Sequence, residues 1–174
     1  LAHCDLVIEA IAERMDWKHD LYKKIAPHLK DDAVIASNTS GLPINKLAEG
    51  LPAERHERFC GVHFFNPPRY MHLVELIATP DTAPEVLDTL ETFLTSTLGK
   101  GCIRAKDTPN FIANRIGTFQ MFATVREAEK FGLGFDVVDD LTGAKLGRVG
   151  VLPSRRFAGL YRVCDSHNNL LDLM

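Results

Sequence analysis

The sequence predicts an α/β fold with a parallel sheet in its first part and an all-helical segment after it. Short apolar runs alternate with stretches of helical spacing from the start of the chain to about residue 105. The apolar runs lack a polar face, which is typical of parallel strands covered by helices on both sides. Near Lys106 this alternation ends, and apolar residues then recur at helical spacing alone.

The predicted elements follow one another along the chain. Strands are predicted at residues 5–9, 33–36, 58–65, 73–78 and 102–104. Helices are predicted at residues 16–29, 43–49, 83–98, 111–130 and 136–146. Pro43 suits the first turn of its helix, and Gly50 suits its end. Because the first strand has no element before it, we expect the chain to be a fragment.

The change of pattern near Lys106 predicts a domain boundary. Thr108 can cap a helix start, and Pro109 suits the first helical position. The predicted division is an α/β part over residues 1–105, a helical part over 106–148 and a divergent tail over 149–174.

The composition excludes several classes of function. The 174 residues are 45% hydrophobic and 25% charged, as in a globular protein. A formal net charge of −3 provides no basic surface field, so we expect no nucleic-acid partner. No apolar run approaches the roughly 20 residues that cross a bilayer, so we expect no membrane span.

The spacing of the cysteines and histidines gives expectations about metal binding, disulfide bonds and cellular location. The four cysteines lie far apart and form no C-x-x-C pair, so neither a zinc site nor a disulfide framework is expected. Free cysteines fit a reducing compartment, and we expect a cytoplasmic location. The histidines other than His63 show no ligand spacing, so we expect no metal site.

Polar residues follow the predicted strands at their carboxyl ends, where open α/β sheets bind ligands. The run S-N-T-S at 37–40 follows the second strand, and Asn66 lies just past the third. Glu13 follows the first strand, at the start of its helix. We expect a ligand site at this edge of the sheet, although the S-N-T-S run is more commonly a turn and a helix cap.

His63, near the end of the third strand, and Glu75, within the fourth, both lie among apolar residues. A single imidazole in an apolar strand is most often a hydrogen-bonded core residue. A buried carboxylate, in contrast, needs a partner or a shifted pKa. The prolines at 67–68 form a turn that would let the two side chains meet. A carboxylate on one ring nitrogen leaves the other nitrogen basic, as in a general base.

Three further polar side chains lie on predicted helices. Asn114 interrupts an apolar helix start, although asparagine is a poor helix former. It is either a surface amide or a buried one that reaches back to the sheet. Lys18 and Lys24 are interpreted as solvated residues of the helix predicted at 16–29.

Four segments of the chain occur in the same order and spacing in 3-hydroxyacyl-CoA dehydrogenases: EAIAE, ASNTSGLPI, GVHFFNPPRYMHLVEL and KDTPNFIANRIG. The sequence resembles this family over about residues 5–147. Members are NAD-dependent enzymes of fatty-acid β-oxidation, with an N-terminal Rossmann domain and a C-terminal helical domain that carries the dimer contacts. The resemblance implies the C-terminal part of a Rossmann-type parallel sheet followed by an all-helical domain segment. It also implies NAD, an acyl-CoA substrate and a homodimer in the complete enzyme, and leaves a fused enoyl-CoA hydratase module open.

The resemblance implies catalytic and substrate-binding roles for four residues. His63 matches the family's catalytic base, and Glu75 matches the carboxylate that orients it. Ser40 matches a serine that contacts both the substrate and the nicotinamide. Asn114 matches an asparagine that helps to hold the substrate.

Further matches lie on the cofactor side of the site. Glu13 and Lys18 match positions at the NAD ribose and its surroundings. Asn66 matches an asparagine near the cofactor and the catalytic histidine. The implied cofactor contacts are therefore Glu13, Lys18, Ser40 and Asn66.

The sequence also departs from the family pattern. The Gly-rich loop that places pyrophosphate at a helix N-terminus, and the acidic residue about 20 positions after it, do not occur in these residues. After residues 146–148 the tail does not match the family's further helices. A second hypothesis is therefore a non-catalytic remnant that binds acyl-CoA or self-associates. A third keeps the chemistry but runs it in the reductive direction, forming 3-hydroxybutyryl-CoA.

Overall fold

A computed structural model describes residues 1–141 of the chain. It contains two compact units, of which the first comprises residues 1–114 and the second begins at Arg115. The three-part division predicted from the sequence stays a prediction. The predicted tail and the end of the last predicted helix, residues 142–146, lie outside the described residues.

The first unit is built on one five-stranded sheet, and its strands lie side by side in chain order. The strands are β1 (Leu6–Glu9), β2 (Val34–Ser37), β3 (Phe59–Phe64), β4 (Leu73–Ala78) and β5 (Gly101–Ala105). All neighbouring pairs are parallel except β3 and β4. The predicted α/β fold with a mostly parallel sheet is confirmed.

The pair β3 and β4 is antiparallel, which departs from the parallel sheet predicted from the sequence but agrees with the turn predicted at the prolines 67–68. The connection between them, residues 65–72, contains no helix. A parallel crossover needs a dozen or more residues, so this connection can only return the chain in the opposite direction.

Helices connect the other strands and continue after the sheet. They are α1 (Met15–Ile25), α2 (Ile44–Ala48), α3 (Pro84–Thr92), α4 (Ala113–Lys130) and α5 (Phe135–Asp139). The predicted helix 16–29 changes to a 3₁₀ turn at Ala26–His28, where Pro27 has no N–H to donate. The predicted helix 83–98 is α-helical to Thr92 and continues as a π-helical turn, Phe93–Thr97.

Two apolar clusters cover the two faces of the sheet in the first unit. On one face, α1 and α2 pack on the strands through a cluster that includes Tyr22, Ile35, Ile44, Phe59, Ile77 and Phe111. On the other face, α3 packs through a cluster that includes Val34, Cys60, Val62, Leu76, Val86 and Leu90. Because side chains alternate along a strand, His63 lies on the same face as Phe59.

Helix α2 packs closely on the sheet at Gly61. A methyl group at this position would come within 2.8 Å of Ile44 Cδ1 and 3.1 Å of Ile77 Cβ. Gly61 therefore lets the first residue of α2 pack directly on β3, two residues before His63. Within residues 1–141, no helix has both the length and the hydropathy needed to cross a membrane.

Candidate active site

His63 and Glu75 face each other across the antiparallel pair of strands. The register places them directly opposite, and His63 Nδ1 lies 2.7 Å from Glu75 Oε2. His63 is 2% exposed and Glu75 is 0% exposed. The two side chains predicted to meet are therefore in contact. The turn after β3 produces this contact, because only an antiparallel return sets these two positions opposite each other.

The second oxygen of Glu75 is held by the backbone at the start of α4. The N–H groups of Ile112 and Ala113 both donate to Glu75 Oε1, each at 2.9 Å. Asn110 and Phe111 just before them have positive φ angles of 62° and 47°, an uncommon conformation for residues other than glycine. A carboxylate that accepts three hydrogen bonds is a fixed acceptor for the imidazole.

The surroundings of Glu75 keep its carboxyl ionised although it is buried. Burial alone raises the pKa of the Glu75 carboxyl. The hydrogen bond from His63 and those from the N–H groups of Ala113 and Ile112 outweigh this effect and hold the pKa below its ordinary value. Glu75 therefore remains a charged acceptor at neutral pH.

The contact with Glu75 fixes which nitrogen of His63 can react. An ionised carboxylate at Nδ1 requires that this nitrogen carry a proton, which leaves Nε2 as the basic nitrogen. Within the described residues, Nε2 has no hydrogen-bond partner. The ring centroids of Phe65 and Phe111 lie 4.5 Å and 5.5 Å from the centroid of the imidazole, so both rings limit its rotation.

Glu13 organises the turn that follows β2. Its Oε1 accepts hydrogen bonds from the N–H groups of Ser40 and Gly41, each at 2.9 Å, and from the hydroxyl of Thr39. Its side chain is 39% exposed, and its Oε2 accepts no hydrogen bond among the described residues but lies 3.7 Å from Lys18 Nζ. Glu13 thus shapes the S-N-T-S turn rather than lying beside it.

Ser40 lies where the turn meets the start of α4. Its backbone oxygen accepts a hydrogen bond from Asn114 Nδ2 at 3.5 Å, so Asn114 reaches back to the sheet edge. Ser40 itself is exposed, and its hydroxyl has no partner among the described residues. The hydroxyl is therefore available to a ligand.

Asn38, which the sequence did not single out, connects this turn to the histidine strand. Its Oδ1 accepts a hydrogen bond from the N–H of Phe64 at 2.9 Å, and its own N–H donates to Glu9 O at 2.8 Å. The carboxyl ends of β1, β2 and β3 are thereby tied together next to His63. Asp107 has a similar linking role, because its carboxylate accepts from the N–H groups of Ile44 and Asn45 at the start of α2.

The interpretation of Lys18 as a solvated residue is wrong, whereas Lys24 is exposed as expected. Lys18 is 0% exposed, and its Nζ donates to Glu9 Oε1 at 2.6 Å and to Ile11 O at 3.3 Å. Helical spacing alone could not distinguish the two lysines, because burial of Lys18 depends on a carboxylate from another element. Lys18 is therefore a buried ion-pair partner of Glu9.

Asn66 stands apart from the other candidates. It is exposed just beyond β3, and no hydrogen bond joins it to another candidate residue within the described part of the chain. Its amide is open to a ligand. Among residues 1–141, no group of three or more His, Cys, Asp or Glu side chains has the arrangement of a metal site.

Three polar groups at the carboxyl edge of the sheet are suited to contact part of a dinucleotide. Ser40 offers a free hydroxyl, Glu13 an accessible oxygen and Asn66 an open amide, each suited to a polar ligand. Parallel strands whose carboxyl ends carry such groups define the class of α/β domains that bind nucleotides.

Comparison with known proteins identifies the family. A family model described as 3-hydroxyacyl-CoA dehydrogenase, NAD binding domain, matches residues 1–108. The chain therefore belongs to the 3-hydroxyacyl-CoA dehydrogenase family of NAD-dependent oxidoreductases. The matched residues correspond to the domain of the family that binds NAD.

Individual relatives agree with the family assignment. A Rickettsia felis protein named "Putative fatty acid oxidation complex trifunctional enzyme" is 49% identical over 158 residues, which cover 91% of this chain and 21% of that protein. A Deinococcus radiodurans protein named "Probable 3-hydroxyacyl-CoA dehydrogenase" is 47% identical over 148 residues, or 85% of this chain and 43% of that protein. The chain thus spans less than half the length of either relative.

A solved structure shows the same fold. The crystal structure of (S)-3-hydroxybutyryl-CoA dehydrogenase PaaH1 from Ralstonia eutropha aligns with a TM-score of 0.76 at 34% identity. The alignment covers 90% of this chain and 54% of that chain.

Proposed function

We propose that the chain carries the proton-transfer site of an NAD-dependent 3-hydroxyacyl-CoA dehydrogenase, which oxidises (S)-3-hydroxyacyl-CoA to 3-ketoacyl-CoA. The observation that supports this most strongly is the buried pair of His63 and Glu75, joined at 2.7 Å. A buried imidazole that served packing alone would not need a carboxylate held by two backbone N–H groups. A carboxylate fixed in this way orients a histidine to act as a general base.

The proton step follows from the arrangement of the pair. Nε2 of His63 takes the proton of the substrate 3-hydroxyl as the bond from carbon 3 to oxygen becomes a carbonyl. Glu75 then stabilises the imidazolium, because its charge lies next to the protonated Nδ1. Help of this kind from an oriented base contributes roughly 10²–10⁴-fold to the rate.

The other candidates bind and orient the ligands. Bound NAD supplies the acceptor for the hydride that leaves carbon 3. Ser40 would donate from its free hydroxyl to the substrate oxygen or to the nicotinamide, and Asn114 would hold the substrate. Glu13 Oε2 and the Asn66 amide would contact the cofactor, whereas Lys18 would act through Glu13 because its Nζ is enclosed.

The same proposal extends to the substrate, the fused modules, the oligomeric state and the location of the protein. The names of the relatives support an acyl-CoA substrate in fatty-acid oxidation, and the Rickettsia felis name supports fusion with further modules such as an enoyl-CoA hydratase. We extend the proposal to a homodimer in the complete enzyme and to a cytoplasmic location. The same groups serve the reductive direction, in which His63 returns the proton to the forming hydroxyl.

The test uses a chain in which a Gly-rich nucleotide-binding segment of the family precedes Leu1, called the extended chain below. With NAD and (S)-3-hydroxybutyryl-CoA, we expect NADH to form in a one-to-one ratio with the 3-ketoacyl product. Binding of both ligands without any oxidation would favour the hypothesis of a non-catalytic remnant. The Ser40→Ala variant, measured in parallel, should lower turnover without lowering the free energy of unfolding.

A further inference from the structure

A second buried ionic group lies beneath the S-N-T-S turn, separate from the histidine pair. Glu9, at the carboxyl end of β1, is 4% exposed and accepts hydrogen bonds on both oxygens. Oε1 accepts from Lys18 Nζ at 2.6 Å and from the N–H of Ile11 at 2.7 Å. Oε2 accepts from the hydroxyls of Tyr22 at 2.9 Å and Ser37 at 2.8 Å.

The cation of this group lies between two carboxylates. Lys18 Nζ is 2.6 Å from Glu9 Oε1 and 3.7 Å from Glu13 Oε2. The shorter contact is the hydrogen bond, and the longer one is an ion pair without a hydrogen bond. Glu13 is consequently attracted towards Lys18 while its Oε1 holds the turn that contains Ser40.

Two neutral hydroxyl groups occupy the oxygen of Glu9 that Lys18 does not bind. Tyr22 is fully buried, and burial raises the pKa of its phenol, so its hydroxyl donates to Glu9 as a neutral group. Tyr22 and Ser37 occupy Oε2 and leave Oε1 directed at Lys18. The pKa of Glu9 is raised by burial and lowered more strongly by its hydrogen bonds with Lys18, Ser37 and Ile11, so the carboxyl stays ionised.

We propose that Glu9 is a positioning residue of the active site, which acts by holding Lys18 away from Glu13. With the lysine bound to Glu9, Glu13 Oε1 remains on the N–H groups of Ser40 and Gly41. Without the charge on Glu9, the buried ammonium has one carboxylate left as a partner. Glu13 then moves towards it and releases the turn, since a buried cation requires an ionic partner.

This inference rests on the proposed function only for the importance of Ser40, and its test is independent of turnover. In the full 174-residue chain, hydrogen exchange of the Ser40 and Gly41 amides is measured by NMR. We expect Glu9→Gln to accelerate exchange at both amides by about tenfold, because each loses a hydrogen bond to a charged acceptor. The amide of Thr82, which donates to Thr79 Oγ1 elsewhere in the chain, serves as the internal control.

The double variant E9Q/K18M distinguishes positioning from a loss of stability. Removal of the lysine removes the attraction on Glu13, so exchange at Ser40 and Gly41 should return to within about twofold of the original chain. Glu9→Asp keeps the charge but shortens the side chain, and it provides a folded variant in which exchange should rise by a smaller factor. Unchanged exchange in Glu9→Gln and Glu9→Asp would overturn the proposal. Exchange in E9Q/K18M that is as fast as in Glu9→Gln, or faster, would also overturn it.

The two proposals fail in different ways. Loss of the proposed function would appear as an extended chain that does not oxidise 3-hydroxyacyl-CoA, with the exchange pattern intact. Failure of the positioning proposal would appear as an unaltered turn in the Glu9 variants, whatever the turnover. In the extended chain, a true positioning effect should also raise the KM for NAD in Glu9→Gln more than it lowers kcat.

Discussion

At the scale of single residues, Glu75 connects His63 to the backbone at the start of α4. It is a fully buried carboxylate whose two oxygens accept from His63 and from the backbone N–H groups of Ile112 and Ala113. A buried carboxylate of this kind is stable in the interior because both of its oxygens accept hydrogen bonds. The same contacts that keep it charged also fix the tautomer of His63.

The first prediction concerns the pH dependence of stability. A carboxyl whose pKa is lower in the folded chain stabilises the fold above its ordinary pKa of 4.5, and this contribution is lost as the pH falls through the lowered value. At pH 7, Glu75→Gln should therefore lower the free energy of unfolding by about 1.5–3 kcal/mol. Urea denaturation at decreasing pH measures the effect.

The difference between the original chain and Glu75→Gln should shrink as the pH falls below 4.5. Asp20→Gln is the matched control, because Asp20 is exposed and its side chain has no hydrogen-bond partner within the described part of the chain. A difference that stays constant from neutral to acidic pH would show that Glu75 is not ionised in the folded chain.

At the scale of elements, the position of His63 depends on the close packing of α2 on β3. Gly61 makes this packing possible, since a methyl group there would lie 2.8 Å from Ile44 Cδ1. His63 follows on the same face of the strand. Helix α2 thus packs against the strand that carries His63, and this packing requires a glycine at position 61.

The second prediction compares two glycines in strands. Gly61→Ala should lower the free energy of unfolding by about 1–3 kcal/mol, because the added methyl overpacks the contact with Ile44 and Ile77. Gly101→Ala is the matched control, since a methyl group there meets nothing within 4 Å. Equal effects of the two substitutions in thermal denaturation would contradict the packing argument.

The elements show which features were predictable from the sequence. Apolar runs and helical spacing located the strands and helices, because both patterns are local. The antiparallel pairing of β3 and β4 departs from the predicted parallel sheet, although the turn predicted at the prolines 67–68 and the shortness of the connection contained the signal. The positive φ angles at Asn110 and Phe111 come just before the two N–H groups that bind Glu75 on a distant strand, an arrangement that no local pattern reveals.

The candidate site was predictable to a similar extent. His63 and Glu75 were found because each is a polar group among apolar neighbours. The same reasoning applied to Glu9, which ends an apolar strand, would have indicated a buried carboxylate. The burial of Lys18 could not be predicted, because a lysine on a helix is normally solvated unless a partner from elsewhere in the fold pairs with it.

At the scale of the whole molecule, the 174 residues contain the proposed proton-transfer pair, His63 and Glu75, but not the Gly-rich loop of nucleotide-binding domains. No G-x-G-x-x-G occurs in the sequence. In nucleotide-binding α/β domains this loop places the pyrophosphate against backbone N–H groups at a helix N-terminus. In the proposed function, the residues present therefore contact the nicotinamide end of NAD, and none of them takes the place of that loop at the pyrophosphate.

The third prediction follows from this division. The 174-residue chain by itself should bind NAD at least about tenfold more weakly than the extended chain, because it lacks the hydrogen bonds to the pyrophosphate. Isothermal titration calorimetry with both chains measures the difference. Equal affinities would mean that the residues at the sheet edge hold the cofactor without that loop.

The most direct test of the central claim is the turnover of His63→Gln in the extended chain. We expect kcat to fall by about 10²–10⁴-fold, while the affinity for NAD measured by calorimetry changes by less than about threefold. His72→Gln is the control, because His72 is exposed and its side chain hydrogen-bonds only to Gly99 O among the described residues, and its turnover should be unchanged. Near-normal turnover in His63→Gln would contradict the assignment of His63 as the base.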